Sequence, residues 1–428
     1  CNRNNSFWLI LIIPFSVIVP PYSVLYQIRT FLLCLFRTLS LWRYTTAPIT
    51  WLTDALGRPN DVVIDPDNDN VAYLATSRAI DKTIDGGKKW KNIVSKEVSP
   101  GKWTHTGISL FGGTVGVAVN PKNSDIIFIG TRDQGGQKSV DGGKSWYNVT
   151  QDGKMPNDGC MNNTIIDPID TDRVYVLNFN GKKGGVVRSI DGGETWKQVL
   201  EFDTKLTFAS AIVFNPANSK YMYACWEKGL FFSNDGGDNW VDLTLKVKEA
   251  GVLATVIVHP TKTNTIYVGG KNGLYVSEDN GGNWKKTDCP YLDIFDIDFM
   301  PDNPDIMFIC TRSKTSAEGK GIYRSKDGGK NWKQVYNNIG TEARIAIIPK
   351  SPYPIYLASN DYAYHDEPCG TGVYRSVDNG NTWDNVSEGL PILRFADICI
   401  ASQPPYKIFL GGGGAGLFEG IDPLFQTK

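Results

Sequence analysis

The stretch YVSEDNGGNW, residues 275–284, interrupts alternating apolar residues with Asp, Asn and two glycines and then resumes at a tryptophan. The sequence contains this Ser/Thr-x-Asp…Trp pattern seven times, and we call each copy a box. Successive boxes start 56, 50, 44, 44, 48 and 51 residues apart, a spacing typical of repeat architectures. The boxes are TIDGGKKW (83–90), SVDGGKSW (139–146), SIDGGETW (189–196), SNDGGDNW (233–240), SEDNGGNW (277–284), SKDGGKNW (325–332) and SVDNGNTW (376–383).

Each box closes a longer unit, which is clearest over residues 254–286. Three short β-rich runs, TVIVH, TIYVGG and GLYVS, precede a fourth run that starts at Trp284, with Pro, Asn and Gly in the turns between them. This pattern predicts a four-stranded antiparallel meander. A single such sheet has exposed edges and faces, and radial repetition of the sheet closes a ring. We therefore predict an all-β fold, a single β-propeller of four-stranded blades.

The two ends of the chain predict one further, shared blade. Residues 397–420 copy the first three strands of the unit, whereas ITWLTDALG (49–57) resembles a fourth strand with Trp51 in the place of the box tryptophan. Together they give eight blades, the last closed by the N-terminal strand so that no sheet edge stays open. Seven blades is the alternative if the terminal pieces pack elsewhere. The predicted propeller spans residues 48–423, followed by a tail at 424–428.

The chemistry of the box predicts a structural role. Its carboxylate and hydroxyl can bond to the backbone of the turn, its glycines supply positive φ, and its tryptophan can pack between blades. A calcium loop would need a longer acidic ladder; DPDNDN (65–70) has Thr76 where the closing Glu should stand. No metal or cofactor site is predicted. The structural residues are Asp85, Asp141, Asp191, Asp235, Asp279, Asp327, Asp378, Trp90, Trp146, Trp196, Trp240, Trp284, Trp332 and Trp383.

Composition excludes some classes of partner. Lys plus Arg is 44 and Asp plus Glu is 45, so the net charge is -1 and no basic stripe predicts nucleic-acid binding. The 8 cysteines are scattered singly, without the CxxC pairs of a zinc site. Buried free thiols are expected, with one or two disulfide bridges as the alternative in an oxidising compartment.

The first 47 residues differ in kind from the rest. FWLILIIPFSVIVPP (7–21) and FLLCLF (31–36) are apolar, and the first run has about the length of a signal-peptide core. We predict an export signal or membrane anchor over residues 1–47, with membrane association through residues 7–42 and a secreted or cell-surface location. Spurious upstream sequence, or a hydrophobic extension packed on the propeller, is the alternative.

The repeated boxes resemble those of the Asp-box (BNR) propellers over roughly residues 49–420. That superfamily includes sortilin-type receptor domains, xyloglucanase-type glycoside hydrolases, photosystem II assembly-factor propellers and, more distantly, sialidases. The resemblance implies the fold. It does not select one function, because receptors, hydrolases and scaffolds share this architecture.

In a meander, the box turn and the turn between strands one and two share one face, and the loops that vary in length lie on the other. Rigid scaffolds carry binding groups on such loops. Two of them combine aromatic rings with polar groups suited to sugars, an ordinary solvated loop being the alternative. They contribute Trp103 and His105 (95–113), and Asp361, Tyr362, Tyr364, His365, Asp366 and Glu367 (360–372).

A third stretch, GTRDQGG (130–136), resembles the Arg-Thr-Asp-x-Gly-Gly segment that bears a catalytic acid in xyloglucanase-type enzymes. The resemblance implies Asp133 as catalytic residue, with Asp361 or Glu367 as second carboxyl. The order here is Thr131-Arg132-Asp133, and those enzymes form their cleft between two propellers, so a binding or structural role for Asp133 stays open. Arg132 and Arg312 are further candidates for ligand binding.

These observations predict an extracytoplasmic, monomeric propeller that binds a glycan or a protein partner on its variable-loop face. One alternative is a glycoside hydrolase of xyloglucanase-like type that uses a pair of carboxylates. A second alternative is an assembly scaffold for a membrane complex.

Overall fold

The computed structural model contains eight four-stranded antiparallel sheets arranged as the blades of a β-propeller. The prediction of eight blades is confirmed, and the seven-blade alternative is wrong. No helix of the described residues is long and apolar enough to cross a membrane, and residues 1–48 lie outside them. The described residues are 49, 52–53, 59–66, 68, 70–76, 79–99, 102–105, 114–131, 135–150, 155–156, 160–179, 184–202, 210–226, 228–289, 293–312, 320–340, 342–360, 371–393, 395–401, 403–412 and 416–426.

The strands of each blade follow one another from the central channel outward. Blades 1 to 4 are Pro59–Ile64, Ala72–Thr76, Ile80–Thr83, Lys91–Asn92; Thr114–Asn120, Asn123–Thr131, Gly136–Ser139, Tyr147–Asn148; Cys160–Ile166, Val174–Phe179, Gly184–Ser189, Lys197–Phe202; and Ser210–Asn215, Asn218–Trp226, Gly229–Ser233, Val241–Asp242. Blades 5 to 7 are Leu253–Val258, Ile266–Gly270, Gly273–Ser277, Lys285–Lys286; Ile294–Phe299, Met307–Thr311, Gly321–Ser325, Lys333–Tyr336; and Glu342–Ile347, Ile355–Asn360, Val373–Ser376, Asp384–Asn385. Blade 8 is Phe395–Ile400, Lys407–Gly412, Gly416–Ile421 and Leu52–Thr53; two 3-10 helices, Thr244–Lys246 and Lys248–Ala250, link blades 4 and 5.

The N-terminal strand closes the ring as predicted. Leu52 lies opposite Glu419 and Thr53 opposite Phe418, so Leu52–Thr53 is the outer strand of blade 8. Trp51 lies outside the described residues. Blade 8 then packs on blade 1, where Phe409 shares a cluster with Ala72 and Leu74. The first and the last strand of the described residues therefore belong to one sheet.

Each box is a turn held by its own side chains. In blade 5 the Ser277 hydroxyl donates to Asp279 Oδ1 at 2.8 Å and accepts the Gly281 N–H at 2.8 Å. The other Asp279 oxygen accepts from the Asn283 side-chain amide at 2.7 Å. Asn280 takes the first glycine position with φ 57°, in the left-handed region that Asn tolerates. The hydroxyl-to-carboxylate bond is present in all seven boxes.

The box turn is bonded to the turn between strands one and two of the same blade. Asn280 N–H donates to the Asn264 carbonyl at 2.9 Å, and Gly328 N–H donates to the Asp305 carbonyl at 2.9 Å. We call the side that carries these paired turns the box face. The opposite side, from which strand one starts and at which strand two ends, is the variable face.

The hydrophobic core lies between blades. Each box tryptophan packs into the cluster shared by its own blade and the preceding one. Trp146 and Trp196 are the most buried, with exposed fractions of 7% and 8%. Four cysteines are described as free thiols: Cys225, Cys289 and Cys310 are buried, and Cys399 is partly buried.

A basic residue directly before the box Ser or Thr often bonds to the box of the next blade. Lys82 Nζ donates to the Gly142 carbonyl at 2.9 Å, and Arg188 donates to the Gly236 carbonyl at 2.5 Å. Lys138 reaches Glu194 at 2.7 Å. We call these contacts inter-blade bonds. They connect the rims of neighbouring blades on the box face, outside the apolar core.

One stretch predicted as a loop contains a hairpin. Ser95–Ser99 pairs with Lys102–His105, which places Trp103 opposite Glu97 and His105 opposite Ser95. The Pro100-Gly101 dipeptide between the strands is a strong turn signal in the sequence. The candidate aromatic residue Trp103 is therefore carried on a paired strand.

Candidate ligand-binding site

Most of the predicted site residues lie outside the described residues. Of the others, Arg312 is described with its side chain, and Trp103 and His105 are described through their hairpin backbone. Roles for all of them stay predictions. The residues outside the description are Asp133, Asp361, Glu367, Arg132, Tyr362, Tyr364, His365 and Asp366.

Arg312 begins a variable loop and is fixed at its base. It follows strand two of blade 6, and its Nε donates to Asp293 Oδ1 at 2.9 Å. The two backbones are also joined, Arg312 N–H donating to the Asp293 carbonyl at 3.1 Å. Asp293 has φ 53° and precedes strand one, which starts at Ile294. The Arg312 side chain is 24% exposed, so it is held in place and still partly accessible to solvent.

Phe295 brings a second arginine to this point. The register of blade 6 shifts between Ile294 and Asp296, so Phe295 lies in a β-bulge. Such bulges re-aim side chains and occur at rims and binding sites. The Arg312 guanidinium lies 5.1 Å from the centre of the Phe295 ring, and that of Arg344 lies 4.3 Å from it, both in cation–π range.

Arg344 comes from strand one of blade 7 and joins the two blades. Its NH1 lies 3.6 Å from Asp296 Oδ1, and the Ile345 N–H donates to Asp296 Oδ2 at 3.4 Å. The Arg344 side chain is 37% exposed and that of Asp296 is 20% exposed. The loop of residues 361–370 starts from Asn360, which pairs with Glu342 in the same sheet. Arg344 therefore lies near the base of that loop, as Arg312 does at the base of its own.

Other blades carry acidic residues at the register position of Asp296. Asp296 lies opposite Cys310, and Arg344 lies opposite the equivalent residue of blade 7, Ala358. Asp397 in blade 8 and Asp61 in blade 1 hold the same register position. Four consecutive blades thus place three acidic residues and one arginine at one height, whereas Thr255 holds this position in blade 5.

Asp298 is the most perturbed carboxyl of this region. Ile297 and Phe299 are buried in the cluster shared with blade 5, so by strand alternation Asp298 points with Asp296 toward blade 7. Burial raises the pKa of Asp298 to about 7, and the Asp296 carboxylate adds to the rise. Asp298 is consequently a group whose charge changes near neutral pH.

Asp298→Asn is expected to change how stability depends on pH. Because the folded pKa lies above that of the unfolded chain, the native protein binds more protons between about pH 4 and 7, so stability falls as pH rises through this window by up to about 1.4 kcal/mol per unit. Asn removes this slope. Chemical denaturation at pH 5, 6, 7 and 8 measures it, with exposed Asp302→Asn in the same blade as control. Parallel pH curves for wild type and Asp298→Asn would refute the expectation.

The group formed by Asp293, Phe295, Asp296, Arg312 and Arg344 is the candidate site, and we call it the Arg–Phe–Arg site. It presents guanidinium N–H donors held by an aromatic ring and two carboxylates. Such donors suit carboxylate, phosphate or hydroxyl oxygens of a ligand. Among the described residues, no three His, Cys, Asp or Glu side chains are grouped to hold a metal ion.

A family model for sortilin (neurotensin receptor 3) matches residues 228–341, a segment that contains blades 5 and 6 and Arg312. The match covers only part of the chain, whereas the eight blades and the seven box turns closed by the same hydroxyl-to-carboxylate bond extend around the whole ring. The chain is an Asp-box β-propeller. A relative, the oligoxyloglucan-reducing end-specific xyloglucanase of Emericella nidulans, is 37% identical over 84 residues, which is 19% of this chain and 10% of that enzyme.

Solved structures align with this chain over most of its length. Sqt1 of Saccharomyces cerevisiae aligns with TM-score 0.61 at 10% identity, over 88% of this chain and 98% of that chain. YCF48 from Cyanidioschyzon merolae aligns with TM-score 0.48 at 15% identity, over 88% of this chain and 99% of that chain. At such identities the likeness concerns the fold. The function of the Asp-box propeller has to be argued from its own site.

Proposed function

We propose that the protein is an extracytoplasmic binding module that recognises a glycan, or alternatively a protein, on its variable face. The observation that carries the proposal is the Arg–Phe–Arg site, in which partly exposed donors from two blades meet between the bases of two variable loops. A glycan is preferred because the 84-residue match is to an enzyme that acts on one.

The carboxylates of the box face are poorly suited to act as general acids. Hydrogen bonds from the Ser145 side chain and backbone lower the pKa of Asp141 to about 2, and the Asn283 amides do the same for Asp279. Both oxygens of these carboxylates already accept bonds within the turn. Near neutral pH these carboxylates are therefore ionised, and their oxygens are already hydrogen-bonded within the turn. A general acid would need a protonated carboxyl facing a substrate.

The Arg–Phe–Arg site is suited to recognition because its donors are pre-organised. Arg312 and Arg344 are each held by a carboxylate and by the same ring, which lowers the conformational entropy lost when a ligand binds. Guanidinium groups can bind hydroxyl or carboxylate oxygens of a sugar in two-pronged fashion. A flat peptide carboxylate would satisfy the same donors.

Arg344→Ala is expected to weaken glycan binding by about 10-fold or more, because it removes charge-assisted bonds and loosens Phe295. Binding of xyloglucan oligosaccharides and acidic oligosaccharides to the full chain is measured by calorimetry. Arg344→Lys, which keeps the charge but not the planar fork, should recover only part of the affinity. Lys326→Ala, on the exposed box turn of the neighbouring blade 6, is the matched control.

Four outcomes separate the alternatives. Weaker glycan binding by Arg344→Ala but not by Lys326→Ala, with an unchanged melting temperature, supports the proposal. Binding of a peptide library and of no glycan would select the protein alternative. Cleaved oligosaccharides in the same samples, absent with Asp133→Asn, would show that the protein is a hydrolase. Equal affinity of wild type and Arg344→Ala would show that the Arg–Phe–Arg site does not bind the ligand.

A further inference from the structure

The box face of three neighbouring blades carries exposed apolar side chains at one repeated position. The residue between the Ser or Thr and the Asp of the box is Ile84 in blade 1, Val140 in blade 2 and Ile190 in blade 3. These side chains are 71%, 52% and 63% exposed. Ile169, on the adjoining turn of blade 3, is 51% exposed. We call these four residues the apolar arc.

The arc is confined to one sector of the ring. The same box position holds Asn234, Glu278 and Lys326 in blades 4, 5 and 6, and all three are exposed. In blade 7 it holds Val377, which is partly buried. Single exposed apolar residues are ordinary on protein surfaces, but a repeated position that is apolar in three adjacent blades and polar in the next three forms a directed surface.

The outer strand of blade 8 begins on this same face. Strand three of blade 8 runs toward the box face, and Leu52–Thr53 is antiparallel to it, so the chain enters that strand from the box face. Ile49 is 3% exposed and packs in one cluster with Ile348 and Tyr406, which belong to strand-one-to-two turns. The apolar runs of residues 7–21 and 31–36 precede this point in the sequence. Blade 8 adjoins blade 1, where the arc begins.

We infer that the apolar arc is a membrane-docking surface, by which blades 1 to 3 lie against a lipid bilayer. Isolated Ile and Val side chains at hairpin tips can insert at the boundary of headgroups and acyl chains. A covering peptide would need a continuous groove, whereas the arc consists of separate tips. The surface lies opposite the Arg–Phe–Arg site and is independent of the proposed function. It leaves the variable face turned toward the aqueous side.

The charged residues beside the apolar arc have mixed signs, so the contact with the bilayer has to depend mainly on insertion of the apolar side chains. Exposed Lys88, Lys89 and Lys144 lie on the boxes of blades 1 and 2, where they can meet anionic headgroups. Exposed Glu194 and Asp172 on blade 3 oppose that attraction. We therefore expect docking on zwitterionic as well as anionic lipid, with weak dependence on salt.

The test places a label at each tip of the full-length chain. Cysteine variants Ile84→Cys, Val140→Cys and Ile190→Cys carry an environment-sensitive fluorophore, and quenching is measured on vesicles of phosphatidylcholine brominated in the acyl chain, with and without phosphatidylserine. The matched controls are Glu278→Cys and Lys326→Cys, at the same box position in blades 5 and 6. The labelled wild type supplies the background from native cysteines.

The expected result is several-fold stronger quenching at the three arc positions than at the two controls, retained from about 0.1 to about 1 M salt. Equal quenching at all five positions, or quenching at none, would overturn the inference. So would loss of the signal at high salt, which indicates an electrostatic contact. A blue-shifted emission before lipid is added would show that the chain itself, or a second copy, covers the arc.

Discussion

The Asp422→Ala variant is expected to lose about 3–5 kcal/mol of its free energy of unfolding, because it leaves a buried guanidinium without its partner. Arg375 Nε donates to Asp422 Oδ2 at 2.8 Å and its NH2 donates to Oδ1 at 2.7 Å. The Tyr356 hydroxyl donates to Oδ2 at 2.5 Å. The side chains of Arg375 and Asp422 are 2% and 0% exposed, so solvent cannot replace these bonds.

The size of the effect follows from the place of Asp422 in the ring. Arg375 directly precedes the box Ser376 and forms the inter-blade bond from blade 7 to blade 8. Glu419 pairs with Phe409 in blade 8 in the same way as Arg324 pairs with Phe308 in blade 6. The box Asp of blade 6 comes three residues after Arg324, and Asp422 comes three residues after Glu419, so Asp422 occupies the position of a box Asp. Asp422 is thus the acceptor that remains in a blade without a complete box. Its loss weakens the seam between blades 7 and 8.

Chemical denaturation of the full chain checks this expectation against two controls. Glu278→Ala breaks the exposed Lys285–Glu278 pair, and we expect a change of at most about 0.5 kcal/mol. The double variant Arg375→Met with Asp422→Leu should regain much of the stability, because no charge is then left buried. A loss in Asp422→Ala no larger than that in Glu278→Ala would show that the buried pair does not hold the seam.

The blade count was predictable because the box carries its own chemistry. Ser277, Asp279 and Gly281 form hydrogen bonds within a stretch of five residues. Each copy of the box therefore indicates a hairpin from its local sequence alone. The closing strand was predictable for a related reason, since the residues after Trp51 match the strand that follows every box tryptophan. The inter-blade bonds were missed, although a basic residue directly before the Ser or Thr of five boxes was a visible signal.

The Arg–Phe–Arg site could not be predicted in the same way. Phe295, Arg312 and Arg344 lie on three segments of two blades, and their meeting depends on a bulge that shifts the register by one residue. The same register shift occurs at the start of strand one in blades 1, 2, 5 and 8, so the bulge does not by itself mark this site. The box-like position of Asp422 was likewise hidden, because Pro423 stands where a glycine should follow and no tryptophan comes after it.

Trp146→Ala is expected to lower the free energy of unfolding by about 3–5 kcal/mol, the range for truncating a large buried aromatic residue. Trp146 is 7% exposed and packs between Tyr73 of blade 1 and Ile127 of blade 2. Its indole Nε1 donates to the Ile93 carbonyl of blade 1 at 3.3 Å. The side chain therefore joins two blades by both apolar contact and a hydrogen bond.

Two companion variants separate these contributions. Trp146→Phe keeps much of the ring but removes the indole N–H, and an intermediate loss of about 1–2 kcal/mol is expected. Lys144→Ala, at an exposed position of the same turn, should stay within about 0.5 kcal/mol of the wild type. Equal losses in Trp146→Ala and Lys144→Ala would mean that the blades are held by the inter-blade bonds and the remaining core. A graded loss from Lys144→Ala through Trp146→Phe to Trp146→Ala would establish the box tryptophan as a wedge between blades, since burial is what distinguishes it from its neighbours in the turn.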